Sequence, residues 1–269
     1  MSSSTQPAPE QGKVKPIPQG YHSLTTYLTS RKAEQLLEFV KRAFGAVELM
    51  RMAGESGMHA EVQMADSRLM MGGGAAMPGE PMPTALHLYV PDAEAVYERA
   101  LAAGATSLHK PVDQPYGDHE AGVEDPYGNR WYIATHLGKT PVPEGMRALT
   151  PYLHPHGAPQ LIEFLKQAFG AREAARYESP EGVVQHARIE IGDSVLEMGE
   201  AHGDIQPMPA MFYLYVEDCD AVYDRALQAG ATSVRELADQ PYGDRNGGVK
   251  DPFGNVWFIA THIKDVQFG

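Results

Sequence analysis

The stretch Leu88–Ala105 reads LYVPDAEAVYERALAAGA, and Leu214–Ala231 reads LYVEDCDAVYDRALQAGA. Each begins as a short apolar run and then changes period. In the first, Val96, Tyr97, Ala100 and Leu101 fall on one stripe of an amphipathic helix. Asp92 stands where its carboxylate can accept the unpaired backbone N–H groups of the first turn. Gly104 supplies the left-handed residue that stops a helix without a Cβ clash. Strand, helix, glycine stop and strand is the repeating unit. Two related segments carry the same order, YLTSRKAEQLLEFVKRAFGA at Tyr27–Ala46 and YLHPHGAPQLIEFLKQAFGA at Tyr152–Ala171.

The four units fall into two pairs. Residues 85–137 align without gaps on 211–263 at a constant shift of 126, and more than half of the positions are identical. Residues 24–46 align on 149–171 at a shift of 125. The chain is therefore an internal duplication, each copy holding two related half-units. The boundaries read as a tail over 1–19, copy one over 20–137, a linker over 138–145, copy two over 146–263 and a C-terminal tail over 264–269. The first residues are rich in Ser, Gln and Pro with no apolar core, which predicts a disordered tail and not a signal peptide. GKTPVPEG (Gly138–Gly145) has the composition of a linker.

Composition narrows the function. Among 269 residues the formal net charge is −13, which argues against nucleic acid, because a phosphate-binding surface needs clustered Lys and Arg. No apolar run approaches the ~18 residues of a membrane helix. One cysteine, Cys219, excludes disulfides within the chain and fits a reducing cytoplasm. No P-loop, dinucleotide fingerprint or HExxH pattern occurs.

Alternation sorts the strand faces. In MHAEVQM, Met58, Ala60, Val62 and Met64 oppose His59, Glu61 and Gln63. In ALHLYV, Leu86, Leu88 and Val90 oppose Ala85, His87 and Tyr89. In NRWYIATH, Trp131 and Ile133 oppose Arg130, Tyr132, Ala134 and His136. The uniform apolar faces should pack on the helices, leaving the His-, Tyr- and Arg-rich faces to line a pocket. The candidate ligand-binding residues are His59, Glu61, His87, Tyr89 and Tyr132 in copy one. Their counterparts in copy two are His186, Arg188, Tyr213, Tyr215 and Phe258.

KPIPQGYHSLTTYL, MHAEVQMADS, DQPYGD, DPYGNRW and IATH, together with the helix segments, resemble the vicinal-oxygen-chelate superfamily of glyoxalases, bleomycin-resistance proteins and dioxygenases, and within it the PhnB-like branch. The resemblance covers both copies and implies an α+β fold. It implies two tandem glyoxalase-like domains, each of two βαβββ modules forming a curved mixed sheet around a cavity. It also implies that the fused copies replace a homodimer.

Metal-dependent members of that family hold a divalent ion at four strand positions. By resemblance these fall on Leu24, Glu61, Ala85 and Tyr132 in copy one, and on Leu149, Arg188, Met211 and Phe258 in copy two. Leu, Ala, Met and Phe offer no lone pair to such an ion, and Arg repels it. The expectation is therefore no metal site of the family's kind. A displaced site using His59, Glu61 and His87 is the one way a divalent metal could enter copy one. The reading is a cytoplasmic small-molecule binder without membrane or nucleic-acid partners. The alternative is a metal-dependent lyase, isomerase or dioxygenase acting in copy one. Glu61/Arg188 and His87/Tyr213 further predict unlike cavities, one per copy, that of copy one favouring a cationic group and that of copy two an anionic or apolar one.

Overall fold

The computed structural model describes residues 14–54, 57–77, 79–203 and 205–266. Four βαβββ modules follow one another along the chain. The first comprises β1 (Leu24–Thr29), α1 (Ala33–Phe44), β2 (Val47–Gly54), β3 (Gly57–Met64) and β4 (Ser67–Gly73). The second comprises β5 (Ala85–Tyr89), α2 (Ala93–Ala102), β6 (Thr106–Asp113), β7 (Asp118–Glu124) and β8 (Arg130–His136). The third has β9 (Leu149–Leu153), α3 (Ala158–Phe169), β10 (Arg172–Glu178), β11 (Val184–Ile191) and β12 (Ser194–Met198). The fourth has β13 (Met211–Tyr215), α4 (Cys219–Gln228), β14 (Thr232–Asp239), β15 (Asp244–Lys250) and β16 (Val256–His262). The local signals act as expected. Asp92 and Asp218 each accept the backbone N–H three residues on, from Ala95 and Ala221.

Two eight-stranded mixed sheets result, and neither is made from a single copy. One has the order β14-β15-β16-β13-β1-β4-β3-β2, the other β10-β11-β12-β9-β5-β8-β7-β6. The first and fourth modules thus share an outer sheet, and the second and third share an inner one. The two joins are antiparallel, β1 on β13 and β5 on β9. The expectation that each sequence copy closes its own sheet is overturned. Alternation along a strand fixes which side chains share a face, but it carries no information about which distant strand lies alongside.

What stays within a copy is the apolar core. Leu36, Leu37, Phe39 and Val40 of α1 pack with Val96, Tyr97 and Ala100 of α2 over Trp131 and Ile133, and Leu149 is the member contributed from copy two. The same arrangement recurs in copy two around Trp257 and Ile259. Each copy is a packing unit, and the two copies are stitched by strand pairing. At ~25 cal/mol per Å² of buried apolar surface, these two cores are the main favourable term.

The stitch has a second layer in the hairpin turns. Asp66 accepts the backbone N–H of Ala148 at 3.0 Å, and the Ser67 hydroxyl accepts that of Leu149 at 3.2 Å. Reciprocally, Asp193 accepts from Ser23 N at 2.8 Å and Ser194 from Leu24 N at 3.0 Å. Each copy's turn grips the first strand of the other.

The termini of the copies also differ from expectation. Residues 1–13 lie outside the described residues, but those that follow belong to the folded body and not to a tail. Pro16 O accepts the backbone N–H of His262 at 3.0 Å, and Ile17 packs beside Met70 and Tyr215. PIPQG at Pro16–Gly20 and PVPEG at Pro141–Gly145 form the same turn, with Tyr21 N bonding Pro18 O and Met146 N bonding Pro143 O. The predicted linker is thus one more repeated element. Lys264, placed in the C-terminal tail, donates its backbone N–H to Gly243 O at 3.0 Å.

Candidate functional site

The concave faces of the two sheets are polar, and each carries a connected network. The ten candidate residues divide between them by module, not by copy. His59, Glu61, Tyr213, Tyr215 and Phe258 share the outer concavity. His87, Tyr89, Tyr132, His186 and Arg188 share the inner one. The expected grouping of His59 and Glu61 with His87 is therefore corrected, since those groups sit on different sheets.

In the outer concavity, Glu61 is 4 % exposed and takes three partners. Tyr21 Oη donates to Oε2, Arg68 Nη1 lies 3.1 Å from the same oxygen, and His59 Nε2 lies 3.4 Å from Oε1. Burial works against the charged carboxylate, but His59, Tyr21 and Arg68 outweigh it and hold Glu61 below its usual range. Tyr27 Oη pairs with His59 Nδ1 at 2.9 Å. Its hydroxyl is pushed up to about 12 by burial, with smaller effects from Tyr242 and Glu61. A second group centres on Asp244, which accepts from Tyr213 Oη at 2.8 Å and Tyr215 Oη at 2.9 Å and pairs with His262 Nδ1 at 2.8 Å. Asn246 Nδ2 donates to Tyr213 Oη and Tyr242 Oη, and Arg235 lies over the Phe258 ring at 4.9 Å.

The inner concavity holds a row of titratable groups across the sheet. His186 Nε2 lies 3.1 Å from Glu197 Oε1, and Glu197 Oε2 lies 3.0 Å from His87 Nδ1. His87 Nε2 lies 3.4 Å from Glu120 Oε2, and Glu120 Oε1 lies 3.7 Å from His109 Nε2. Burial opposes the charge on Glu197, yet its two histidine partners hold it down to about 2. Burial also acts against a protonated His87, and Glu197 and Glu120 prevail to raise its pKa. Glu120 is raised, chiefly by burial. Beside the row, Asp118 accepts from Tyr89 Oη at 2.9 Å and pairs with His136 Nδ1 at 2.6 Å. Tyr132 Oη lies 3.0 Å from His154 Nε2.

Sequence reasoning missed several of these groups. Alternation puts His136 on the polar face but gives no role to Asp118, Asp244 or His262, and all four face a concavity. Glu197 was hidden in the apolar run SVLEM, although it alternates with Leu196 and so belongs to the opposite face. Its importance shows in the pairing. Arg188 lies directly across from Glu197, and Glu61 directly across from Met70. The two modules keep one glutamate at the same cross-strand pair but on opposite strands. Glu61/Arg188 is thus not a simple reversal of charge, and the concavity containing Arg188 is not short of carboxylates.

Leu24 and Ala85 stand at implied ligand positions without donors, and the displaced set is split between sheets. Among the described residues, no group of three or more His, Cys, Asp or Glu side chains is arranged to hold an ion. Glu197 and His87 face each other at hydrogen-bond distance instead of converging on a shared point.

The model of the Glyoxalase/Bleomycin resistance protein/Dioxygenase superfamily matches residues 22–133 and 157–259, one stretch in each copy. The chain belongs to this superfamily. An uncharacterized protein of Mycobacterium bovis is 35% identical over 134 residues, which is 45% of this chain and 86% of that protein. Glyoxalase I of Zea mays superposes with a TM-score of 0.67 at 14% identity, covering 88% of this chain and 90% of its own. A putative dioxygenase of Bacillus subtilis gives 0.58 at 12% identity, covering 90% and 85%. These superpositions establish the glyoxalase fold, here with two eight-stranded mixed sheets, and do not carry over a reaction. No helix of the described residues is long and apolar enough to cross a membrane.

Proposed function

We propose that this glyoxalase-superfamily chain, of the PhnB-like branch, is a cytoplasmic binder of small molecules with two unlike sites, one per concavity. One comparison carries the reading. The core-facing pairs stay apolar, as in Leu88/Leu214, Trp131/Trp257 and Ile133/Ile259. The inner row His186, Glu197, His87, Glu120 and His109 is matched in the outer concavity by His59, Met70, Tyr213, Asn246 and Arg235. A scaffold would gain nothing from burying carboxylates on a sheet face, because each costs several kcal/mol of desolvation before it is paired. Tyr213 and Tyr215 are 8 % and 5 % exposed, so a ligand of the outer site is small or displaces these rings.

A second reading, catalysis, is favoured in the inner concavity by the His–Glu row, which can hold and move a proton. His87, whose pKa Glu197 and Glu120 raise against the effect of burial, is the member of the row that would serve a bound molecule as general acid. Among the described residues of the outer concavity the row is not repeated, its positions being held by His59, Met70, Tyr213, Asn246 and Arg235.

The test is native mass spectrometry of the full chain for bound small molecules, followed by titration calorimetry with the molecules found. Glu197→Gln should weaken inner-site ligands by about tenfold or more, in line with the loss of a charge-assisted hydrogen bond, and leave outer-site ligands unchanged. Tyr213→Phe should do the converse. Absence of any ligand, or equal effects of both variants on every ligand, would refute two unlike binding sites.

A further inference from the structure

The outer concavity already holds a ring that belongs to neither a strand nor a helix. Tyr21 lies ahead of β1, on the short arm of residues 14–23 that leads into the first strand. Its hydroxyl donates to Glu61 Oε2, the Arg68 guanidinium stands 4.0 Å above its ring, and Tyr215 meets it edge-on at 5.4 Å. Burial and then Glu61 push the hydroxyl's pKa up, so the phenol stays neutral and donates. Gly20 makes room for the guanidinium, since a Cβ there would come within 2.6 Å of Arg68 Nη2. An acceptor, a cation over the face and an aromatic edge are together what a free phenol needs.

The matching turn at the other concavity carries none of this. Tyr21 is replaced by Met146, Glu61 by Arg188 and Arg68 by Val195, and a Cβ on Gly145, the counterpart of Gly20, would meet nothing within 4 Å. A thioether donates no hydrogen bond. The donor, its acceptor and the cation change together, so they form one recognition unit and not a general feature of the turn. The arm that delivers Tyr21 is lightly held. Upstream of Tyr21, the described residues make one backbone bond to the body, His262 N to Pro16 O at 3.0 Å, and Ile17 rests half-buried on Met70 and Tyr215. Segments with so few buried contacts open at low cost.

We propose that the outer concavity is a site for a small phenol, and that Tyr21 occupies it as an internal ligand which the free phenol displaces. This rests on the reading of the outer concavity as a binding site and names what that site takes. The phenol's O–H replaces that of Tyr21 on Glu61, its ring lies between Arg68 and Tyr215, and the arm lifts from His262. Bound phenol and docked arm exclude each other, so the intact chain binds more weakly than the bare site by the fraction of molecules whose arm is lifted.

The probe is p-cresol, the tyrosine side chain as a free molecule, and its control is 4-methylanisole, which keeps the oxygen but has no O–H. Titration calorimetry of the full chain should show p-cresol binding Tyr21→Ala about tenfold or more tightly than wild type. Ile17→Glu, which loosens the arm and leaves Tyr21, Glu61 and Arg68 in place, should fall between them. In Tyr21→Ala, 4-methylanisole should bind about tenfold or more weakly than p-cresol, because its ether leaves Glu61 unmet. In wild type, saturating p-cresol should speed hydrogen exchange at the His262 amide, where a molecule merely filling a void would slow it or leave it alone. Equal affinities of wild type and Tyr21→Ala, or of p-cresol and 4-methylanisole, would overturn the proposal, as would unchanged or slowed exchange at His262. If p-cresol fails to bind while native mass spectrometry finds another molecule that Tyr213→Phe releases, the proposal falls and the two-site reading stands.

Discussion

At the scale of single residues, burial decides what each ionisable group does, and His154 gives the clearest pH prediction. It is 5 % exposed, and burial, followed by the charge of Arg130, lowers its pKa from the usual 6.5 to about 4. The unfolded chain therefore takes up this proton near pH 6.5 while the folded one resists until about pH 4. The stability owed to neutral His154 is present above pH 6.5 and is lost as pH falls through that window, up to about 3 kcal/mol. His87 and His262 shift the other way and mask part of this in the intact protein. Urea melts of wild type and His154→Asn at pH 7 and pH 4.5 should isolate it, the variant losing less stability on acidification. An equal loss in both would show that His154 is not held neutral. Residue types on the concave faces were legible from alternation alone. Their partners were not, because Glu197 becomes visible as a site residue only when Arg188 and His87 are set beside it.

Among the elements, the hairpin turns do more than reverse the chain. ADS at Ala65–Ser67 and GDS at Gly192–Ser194 join β3 to β4 and β11 to β12, and each proves to be a clasp on the other copy. Burial opposes ionisation of Asp193, but Ser23 and His22 bring its pKa down to about 2. Asp66→Ala and Asp193→Ala should each cost about 1 kcal/mol, the value of a typical hydrogen bond. Because Arg147 reaches both aspartates, the double variant should depart from the sum by about 0.5 kcal/mol or more. Strict additivity in denaturant melts would show that the two clasps act independently. The helices were readable, since their stripes and glycine stops, and the aspartate caps of α2 and α4, are all local. The strand pairing was not, because register and face are local properties while partnership is not.

For the whole molecule, the separation of core from sheet predicts what a single copy will do. Copy one alone retains its apolar core but leaves the edges of β1 and β5 unpaired, the two edges that copy two now covers. Open edges of this kind seek another strand. A chain of residues 14–137 should form a two-fold dimer in which β1 of one subunit meets β5 of its partner. Light scattering at micromolar concentration would check this, and a stable monomer with native-like circular dichroism would contradict it.

The same layout has a consequence for synthesis. The inner sheet is encoded by one uninterrupted stretch, from β5 to the end of β12 at Met198, whereas the outer sheet needs β1 and then waits for β16, which ends at His262. As the chain leaves the ribosome, every strand of the inner sheet has been made before β13 to β16 appear, while the first module emerges without its partner. The first module must therefore keep an exposed strand edge from misdirected association longer than the second, since β1 waits for β13 while β5 waits only for β9. Protection of that edge during translation falls to α1 and to the pairing of β1 with β4.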